Sequence, residues 1–489
     1  MASNGIVAQL LRRKRAEMMH ADAASEVGLH RALRASDLTL LGIGAIVGAG
    51  IFVLTGVGAQ HAGPGLIASF VLAGLACAMA ALCYSEFATM IPVAGSAYSY
   101  SYATMGEFVA WIIGWDLVLE YAVGAAAVAS GWSGYLRVIL EGLGIHLPIE
   151  IASAPCTTTP CVQGTAEGAI INLPALLIVC LMSAVLYIGI RESARLNSIF
   201  VSVKVFVVLA VIAIGAFYVQ PANWTPFTPF GWMGVANGAA LIFFAYIGFD
   251  AVSTVAEEVI DPGRDLPIGI IGSLAVCTVL YMGVAAVLTG MVPYIEIDAA
   301  APLASAFVGR GLNFVAGMIS LGAIAGLTSV LLVLLLGQSR IFFAMSRDGL
   351  LPAAFSKIHP TFHTPYVPTV ITGIAVALTA ALLPIHEIAE LTNIGTLFAF
   401  VLVCAGVMIL RYTEPDLKRP FRTPLVPLVP LVGIVFCVFL MLRLPMLTWG
   451  RFFGWLALGF IVYFAYGRFH SRVALDARAH PPARRRVGG

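Results

Sequence analysis

The chain has 489 residues, of which 60% are hydrophobic and only 11% are charged, with a formal net charge of +2. A soluble chain of this length carries roughly 25% charged residues, so the composition excludes an ordinary soluble globular protein. The small net charge gives no reason to expect a nucleic-acid partner.

Residues 1–37 are polar and basic, and no cleavage site follows the first apolar run, so no signal peptide is expected. From Leu38 to Phe469 apolar runs recur at about the 18 to 25 residues that cross a bilayer as a helix. They predict twelve spans: 38–59, 65–90, 107–137, 169–190, 197–219, 234–256, 267–291, 313–345, 366–384, 388–410, 425–442 and 449–468. Between spans two and three, "IPVAGSAYSYSYATMG" is too polar to cross and reads as a short interfacial segment over 91–106. With the N-terminus in the cytoplasm, 22 of the 27 lysines and arginines fall on the cytoplasmic side. Only Arg137, Arg310, Arg443 and Arg451 fall outside, and Lys204 lies within span five. This positive-inside bias supports the even count and predicts a multi-pass cell-membrane protein with both termini cytoplasmic. The basic tail after 469 can touch anionic lipid.

Six of the eight cysteines lie in apolar spans as small hydrophobic filler, whereas Cys156 and Cys161 flank "TTTP" in an outer loop. A small local disulfide fits that pair better than a metal, because no histidine accompanies it. No metal or cofactor is expected. His61, His146 and His386 read as solvated loop-edge residues.

"GIGAIVGAGIF" (42–52) places four glycines inside span one, although glycine is among the poorest helix formers. Gly44 and Gly48 fit close helix packing, but Gly42 and Gly50 fit it less well. The alternative is a broken helix whose freed N–H and C=O groups hold a ligand at mid-membrane. Span six offers a matching interruption at "FFAYIGFD" (243–250), where Asp250 is a charge within an apolar run. Spans one and six are five apart, so two five-helix repeats would be inverted relative to one another.

At these residues the chain resembles the amino acid–polyamine–organocation superfamily, closest to its cationic amino acid transporter family in the bacterial twelve-helix form. The resemblance rests on "LGIGAIVGAGIFVLTG", "SEFATMIPVAGSAYSYSY", "GWDLVLEY", "FFAYIGFDAVSTVAEEV", "DPGRDLPIGI" and "SRIFFAMSRDGLLP". It implies an all-α membrane fold with a five-plus-five inverted repeat over 38–219 and 234–410, spans eleven and twelve over 425–468, and proton-coupled amino acid transport. It implies that Ile46 to Gly50 is unwound, with the amides of Gly48, Ala49 and Gly50 receiving the substrate carboxylate. The α-amino group would meet carbonyls at Ile46 and at Phe244, Ala245, Tyr246 and Ile247, with the Phe244 ring closing over the substrate. Ala49 stands where the family often has a hydroxyl.

Charges inside the membrane are the remaining pointers, because an ionised group at mid-span costs at least about 2.5 kcal/mol. Lys204 either snorkels to the interface or binds and releases a proton, and the resemblance implies the second role. Asp116 and Glu120 stand four apart on one face of span three, and Asp116 either bonds helix ends or is a gate or pocket charge. Glu120 either packs the scaffold or receives a cationic substrate side chain. Asp250 either joins that pocket or caps the inner half of span six. Glu86, Glu257 and Glu258 read as inner-gate or structural charges, and Trp111, Trp115 and Trp132 as packing. No nucleophile elbow, phosphate loop or metalloprotease motif marks an enzyme. The expected function is a secondary active transporter of L-amino acids, cationic (arginine, lysine, ornithine) or small neutral (alanine), with an exchanger, a sensor or a channel as the alternatives. The expected partners are the substrate, protons and the bilayer.

Overall fold

The structure, a computed structural model, describes residues 10, 12–14, 33–90, 96–156, 165–188, 194–298 and 301–479. The described residues are mostly helical, with one pair of two-residue parallel strands among them, Ala154–Pro155 and Thr165–Ala166. The helices are α1 (Ala35–Ile46), α2 (Thr55–Ala62), α3 (Leu66–Met90), α4 (Ser96–Thr104), α5 (Glu107–Val118) and α6 (Gly124–Gly142). They continue with α7 (Leu173–Ile188), α8 (Ala194–Gly215), α9 (Gly231–Ile242), α10 (Pro262–Met291) and α11 (Asn313–Arg347). The last are α12 (Tyr366–Leu382), α13 (Ile385–Thr413), α14 (Leu428–Met441) and α15 (Met446–Val462). Prolines mark several starts, as expected for a residue without an N–H: Pro384, Pro427 and Pro445 stand immediately before α13, α14 and α15, and Pro262 opens α10.

Among the described residues, eight helical stretches are long and apolar enough to cross a membrane, and four shorter apolar helices accompany them. Every predicted span falls on one or more of these helices, but the first is not continuous. It is split into α1 and a second half, Gly50–Ala62, which runs through only the Gly63–Gly65 turn into α3. The polar segment after α3 also differs from expectation. Its described part is α4, whose Tyr98, Tyr100 and Tyr102 are buried rather than laid on an interface.

The helices form two groups. In one, α10 packs against α1 and α3, and α9 packs against α2 and α3. In the other, α6, α7, α11 and α12 pack on one another. Helix α8 touches α1 and α10 of the first group and α11 of the second, while α13 touches α3 and α9 on one side and α5 and α6 on the other. Helix α15 is held to α5 by indoles: Trp111 and Trp115 donate to the Gly459 and Trp455 carbonyls at 3.0 and 2.9 Å, and Trp455 donates back to Trp115 at 3.2 Å. The packing reading of Trp111 and Trp115 thus has a specific partner helix. Trp132 bonds the Thr328 hydroxyl of α11.

Candidate functional site

The two expected interruptions are both present, and they meet. Helix α1 ends at Ile46, Val47 turns to extended dihedrals, and the chain resumes as a π-turn over Gly50–Leu54. The loosened stretch is therefore Val47–Gly48, narrower than expected from sequence, and Ala49 is already helical. In the second interruption Phe243–Tyr246 is a tight 3₁₀ turn, Ile247 is extended, Gly248 has φ of +110°, and a further 3₁₀ stretch runs over Phe249–Glu258. A positive φ of that size favours glycine over any side chain.

Each glycine of 42–50 faces a different helix. A Cβ on Gly42 would strike Ser273 of α10, one on Gly44 would strike Val201 of α8, and one on Gly48 would lie 3.1 Å from Val330 of α11. At Gly50 the obstacle is the backbone of Ala245 itself. The second interruption returns the contact, because a Cβ on Gly248 would lie 3.0 Å from the Ala45 carbonyl. The two broken segments thus cross backbone to backbone, which only glycine permits.

A helix that stops in the middle of a protein leaves carbonyls without partners. Here side chains from other helices supply two of them. Lys204 Nζ donates to the Gly44 carbonyl at 2.8 Å, and the Tyr281 hydroxyl donates to the Ile46 carbonyl at 2.9 Å. Lys204 is fully buried, so it does not snorkel, and its stem lies over Gly326 of α11. A cation at a helix C-terminus also complements the helix dipole. Tyr281 was not singled out in the sequence, where a tyrosine in an apolar run reads as core. The Ile46 carbonyl, expected for a substrate amine, already carries this bond. The Gly48 amide, between the two half-helices, makes no hydrogen bond among the described residues.

Beside the crossing lies a cavity of about 20 Å³, room for one or two waters rather than an amino acid. Ala45, Ile247, Gly248, Glu120, Asp250, Val330 and Leu334 are among its walls. Glu120 sits in a π-turn, Leu119–Val123, inserted between α5 and α6, a kind of bulge frequent at functional sites. Asp250 accepts a hydrogen bond from the Tyr121 hydroxyl at 3.1 Å, and its backbone carbonyl accepts one from Ser253 at 2.6 Å. Its carboxylate therefore faces the cavity and the Leu119–Val123 turn. Asp116 is buried one turn from Glu120, lies outside the cavity wall, and has no hydrogen-bond partner for either carboxylate oxygen among the described residues. Phe244 is buried, is not among the cavity walls, and its ring approaches Gly124. Lys204 is not among the cavity walls.

Glu86 belongs to a structural clamp. Arg411 Nε and Nη2 each donate to it at 2.9 Å, Arg419 Nε lies 3.2 Å away, and the Thr423 amide donates at 2.8 Å. The Glu257 and Glu258 side chains lie outside the described residues. Cys156 is disulfide-bonded, and its expected partner Cys161 also lies outside them.

A cluster that sequence reasoning missed ties residues 12–14 and 471–472 to Glu107 and Asp348. Lys14 Nζ pairs with Asp348 at 2.6 Å with both side chains buried, and the Tyr98 hydroxyl donates to the same carboxylate at 2.8 Å. The Lys14 amide bonds the Tyr102 carbonyl and the Glu107 amide bonds the Arg12 carbonyl, at 3.1 and 2.8 Å. Arg472 donates its amide to the Asp348 carbonyl at 2.9 Å, and Tyr463 and Ser471 bond Glu107 at 2.9 and 2.5 Å. A lysine in a polar basic leader carries no sequence signal for such a contact.

The family model described as "Amino acid permease" matches residues 33–464, most of the chain and both broken segments. The chain belongs to the amino acid permease family. The permease is 52% identical over 465 residues to "Branched-chain amino acid permease BcaP" of Bacillus subtilis (strain 168), covering 95% of this chain and 99% of the relative. It is 49% identical to "Methylthioribose transporter" of the same organism, with the same coverage. It is 42% identical over 391 residues to "Cationic amino acid transporter 9, chloroplastic" of Arabidopsis thaliana, covering 79% of this chain and 67% of the relative. The expected superfamily and its cationic-transporter branch are therefore right. The permease is a multi-pass membrane protein, and its named relatives are transporters rather than enzymes.

Proposed function

We propose that the permease is a secondary active transporter that carries L-amino acids by alternating access, in twelve crossings, with Lys204 as its proton-coupling group. The observation that carries this is the crossing of two broken segments, with Lys204 seated on a carbonyl of the first. In hydrocarbon, freed backbone groups are tolerated where they line a cavity or meet a ligand. The Gly48 amide would take part in receiving the substrate carboxylate, with Ala49 and Gly50 beside it. The second segment, Phe244 to Ile247, would supply carbonyls for the amine, and the Ile46 carbonyl would keep its Tyr281 bond.

The two helix groups support a rocking motion. Each packs within itself and they are bridged by α8 and α13, so one group can tilt against the other about a site between them. Lys204 joins α8 of the bridge to α1 and α11 across that division. Protonated, it would hold α1 in place through the Gly44 carbonyl. Neutral, it would release α1, so proton and substrate would bias one equilibrium. Residues 12–14 and 471–472 meet around Glu107 and Asp348, which fits an even number of crossings, and the repeats would cover 38–219 and 234–410 with two further crossings at 425–468. The basic-residue bias supports a cytoplasmic location for that end.

The substrate class favoured here is neutral and aliphatic, because Ile247, Val330 and Leu334 form much of the cavity wall. The branched-chain relative agrees. The methylthioribose relative names the competing reading of a neutral thio-sugar, which has no carboxylate for the Gly48 amide. Uptake of labelled leucine, alanine, arginine and methylthioribose into proteoliposomes, with and without a pH gradient, tests the proposal. Accumulation of an amino acid above equilibrium only with the gradient is expected. Accumulation of methylthioribose alone, or of amino acids regardless of pH, overturns it.

A further inference from the structure

We propose that Val330 is the seal between the cavity at the helix crossing and the ammonium of Lys204, so that protons in the cavity cannot reach Lys204 unless α1 moves. This rests on the proton-coupling reading above and goes further, naming the side chain that keeps the coupling tight.

Lys204 and the cavity meet α11 on successive turns. The Lys204 stem lies on Gly326, where a Cβ would stand 3.0 Å from its Cγ and 3.3 Å from its Cε. Val330 is one turn further along the same face of α11, is buried, and is a wall of the cavity. Its side chain also reaches α1, because a Cβ on Gly48 would lie 3.1 and 3.4 Å from its two methyls. Val330 therefore touches the loosened stretch of α1 on one side and the cavity on the other, one turn from the lysine.

The two sides of Val330 differ in chemistry. On the lysine side, Nζ donates to the Gly44 carbonyl, and Gly44 itself faces Val201 of α8. From α10 the titratable side chain that faces the ammonium is Cys277, while the Tyr281 hydroxyl is held at the Ile46 carbonyl. On the cavity side stand the two carboxyl groups, Glu120 and Asp250, around a space that holds one or two waters. The step that Val330 controls is transfer of a proton from cavity water to the neutral amine and back, with no other bond made or broken. That transfer needs a continuous hydrogen-bonded path, and a valine methyl neither donates nor accepts. Gly48, which Val330 touches, is also the residue whose amide would receive the substrate carboxylate. Substrate arrival and proton access would then be settled at one contact.

The test is proton leak into proteoliposomes that hold a pH-sensitive dye, with no amino acid present and the membrane potential clamped. The unaltered protein should add little to the leak of protein-free liposomes. Val330→Ala should dissipate an imposed gradient several times faster. Its accumulation of substrate under one pH unit should fall from about tenfold toward equal concentrations. Val330→Thr keeps the shape of valine, and its hydroxyl can bond the carbonyl four residues back, as Thr328 does on the same helix, so it should fold even where alanine does not. It places a hydroxyl at the seal and should leak as well. In either variant combined with Lys204→Met the extra leak should disappear. Leak in neither Val330 variant, or leak that persists without Lys204, overturns the assignment. Failure of the unaltered protein to accumulate substrate on a pH gradient would instead overturn the coupling reading itself, and it is measured first.

Discussion

Replacing Lys204 is the sharpest test of the coupling proposal. Methionine keeps an apolar stem of similar length over Gly326 and deletes the donor to the Gly44 carbonyl. A buried acceptor left without its partner costs about 1–3 kcal/mol, which a folded permease should survive. Lys204→Ala would in addition empty the space beside Gly326, at a further cost on the order of 2–5 kcal/mol, so methionine is the cleaner variant. A pH gradient of one unit supplies about 1.4 kcal/mol per proton, enough for roughly tenfold accumulation of substrate when one proton moves with it. Wild-type proteoliposomes should approach that ratio. Lys204→Met should still exchange internal for external labelled substrate but should reach only equal concentrations under the same gradient. Lys204→Arg should fail as well, because arginine keeps its proton and is larger than the space over Gly326. Tenfold accumulation by Lys204→Met would refute the reasoning and leave Lys204 as a cap on α1.

Gly50→Ala should prevent the two broken segments from meeting, because its methyl would overlap the Ala245 backbone, which cannot move aside as a side chain can. We expect loss of folded protein or of all substrate-dependent thermal stabilisation, and normal stabilisation would show that the crossing is looser than described. Lys14→Met removes one side of the buried pair with Asp348 and should weaken closure of that end by about 3 kcal/mol. A cysteine probe near the cavity should then label faster from the side of the termini, and unchanged labelling would make the contact merely incidental. Glu120→Gln separates its two readings: loss of arginine competition by about 1–3 kcal/mol with leucine unaffected would mark a cation contact, whereas equal losses would mark a scaffold role.

Much of this architecture was legible in the chain itself, for physical reasons. Apolar runs must be helical in a bilayer, so composition and run length located the helices, and charged residues outside them indicated a sidedness. The glycine-rich 42–52 and the Gly248–Asp250 interruption were visible because glycine and charge are costly in such helices unless something requires them. What sequence could not supply was partnership. Which helix each glycine meets, that Tyr281 and Lys204 satisfy the carbonyls of α1, and that Glu86 belongs to an arginine clamp depend on residues brought together across hundreds of positions. The same holds for the segment at 91–106, where polarity suggested an interface. Its described part is buried because Tyr98 bonds Asp348 and Tyr102 meets Glu107 and Ser471. Local polarity reports only that a group needs a hydrogen-bond partner. Whether water or another helix provides it is decided by the packing.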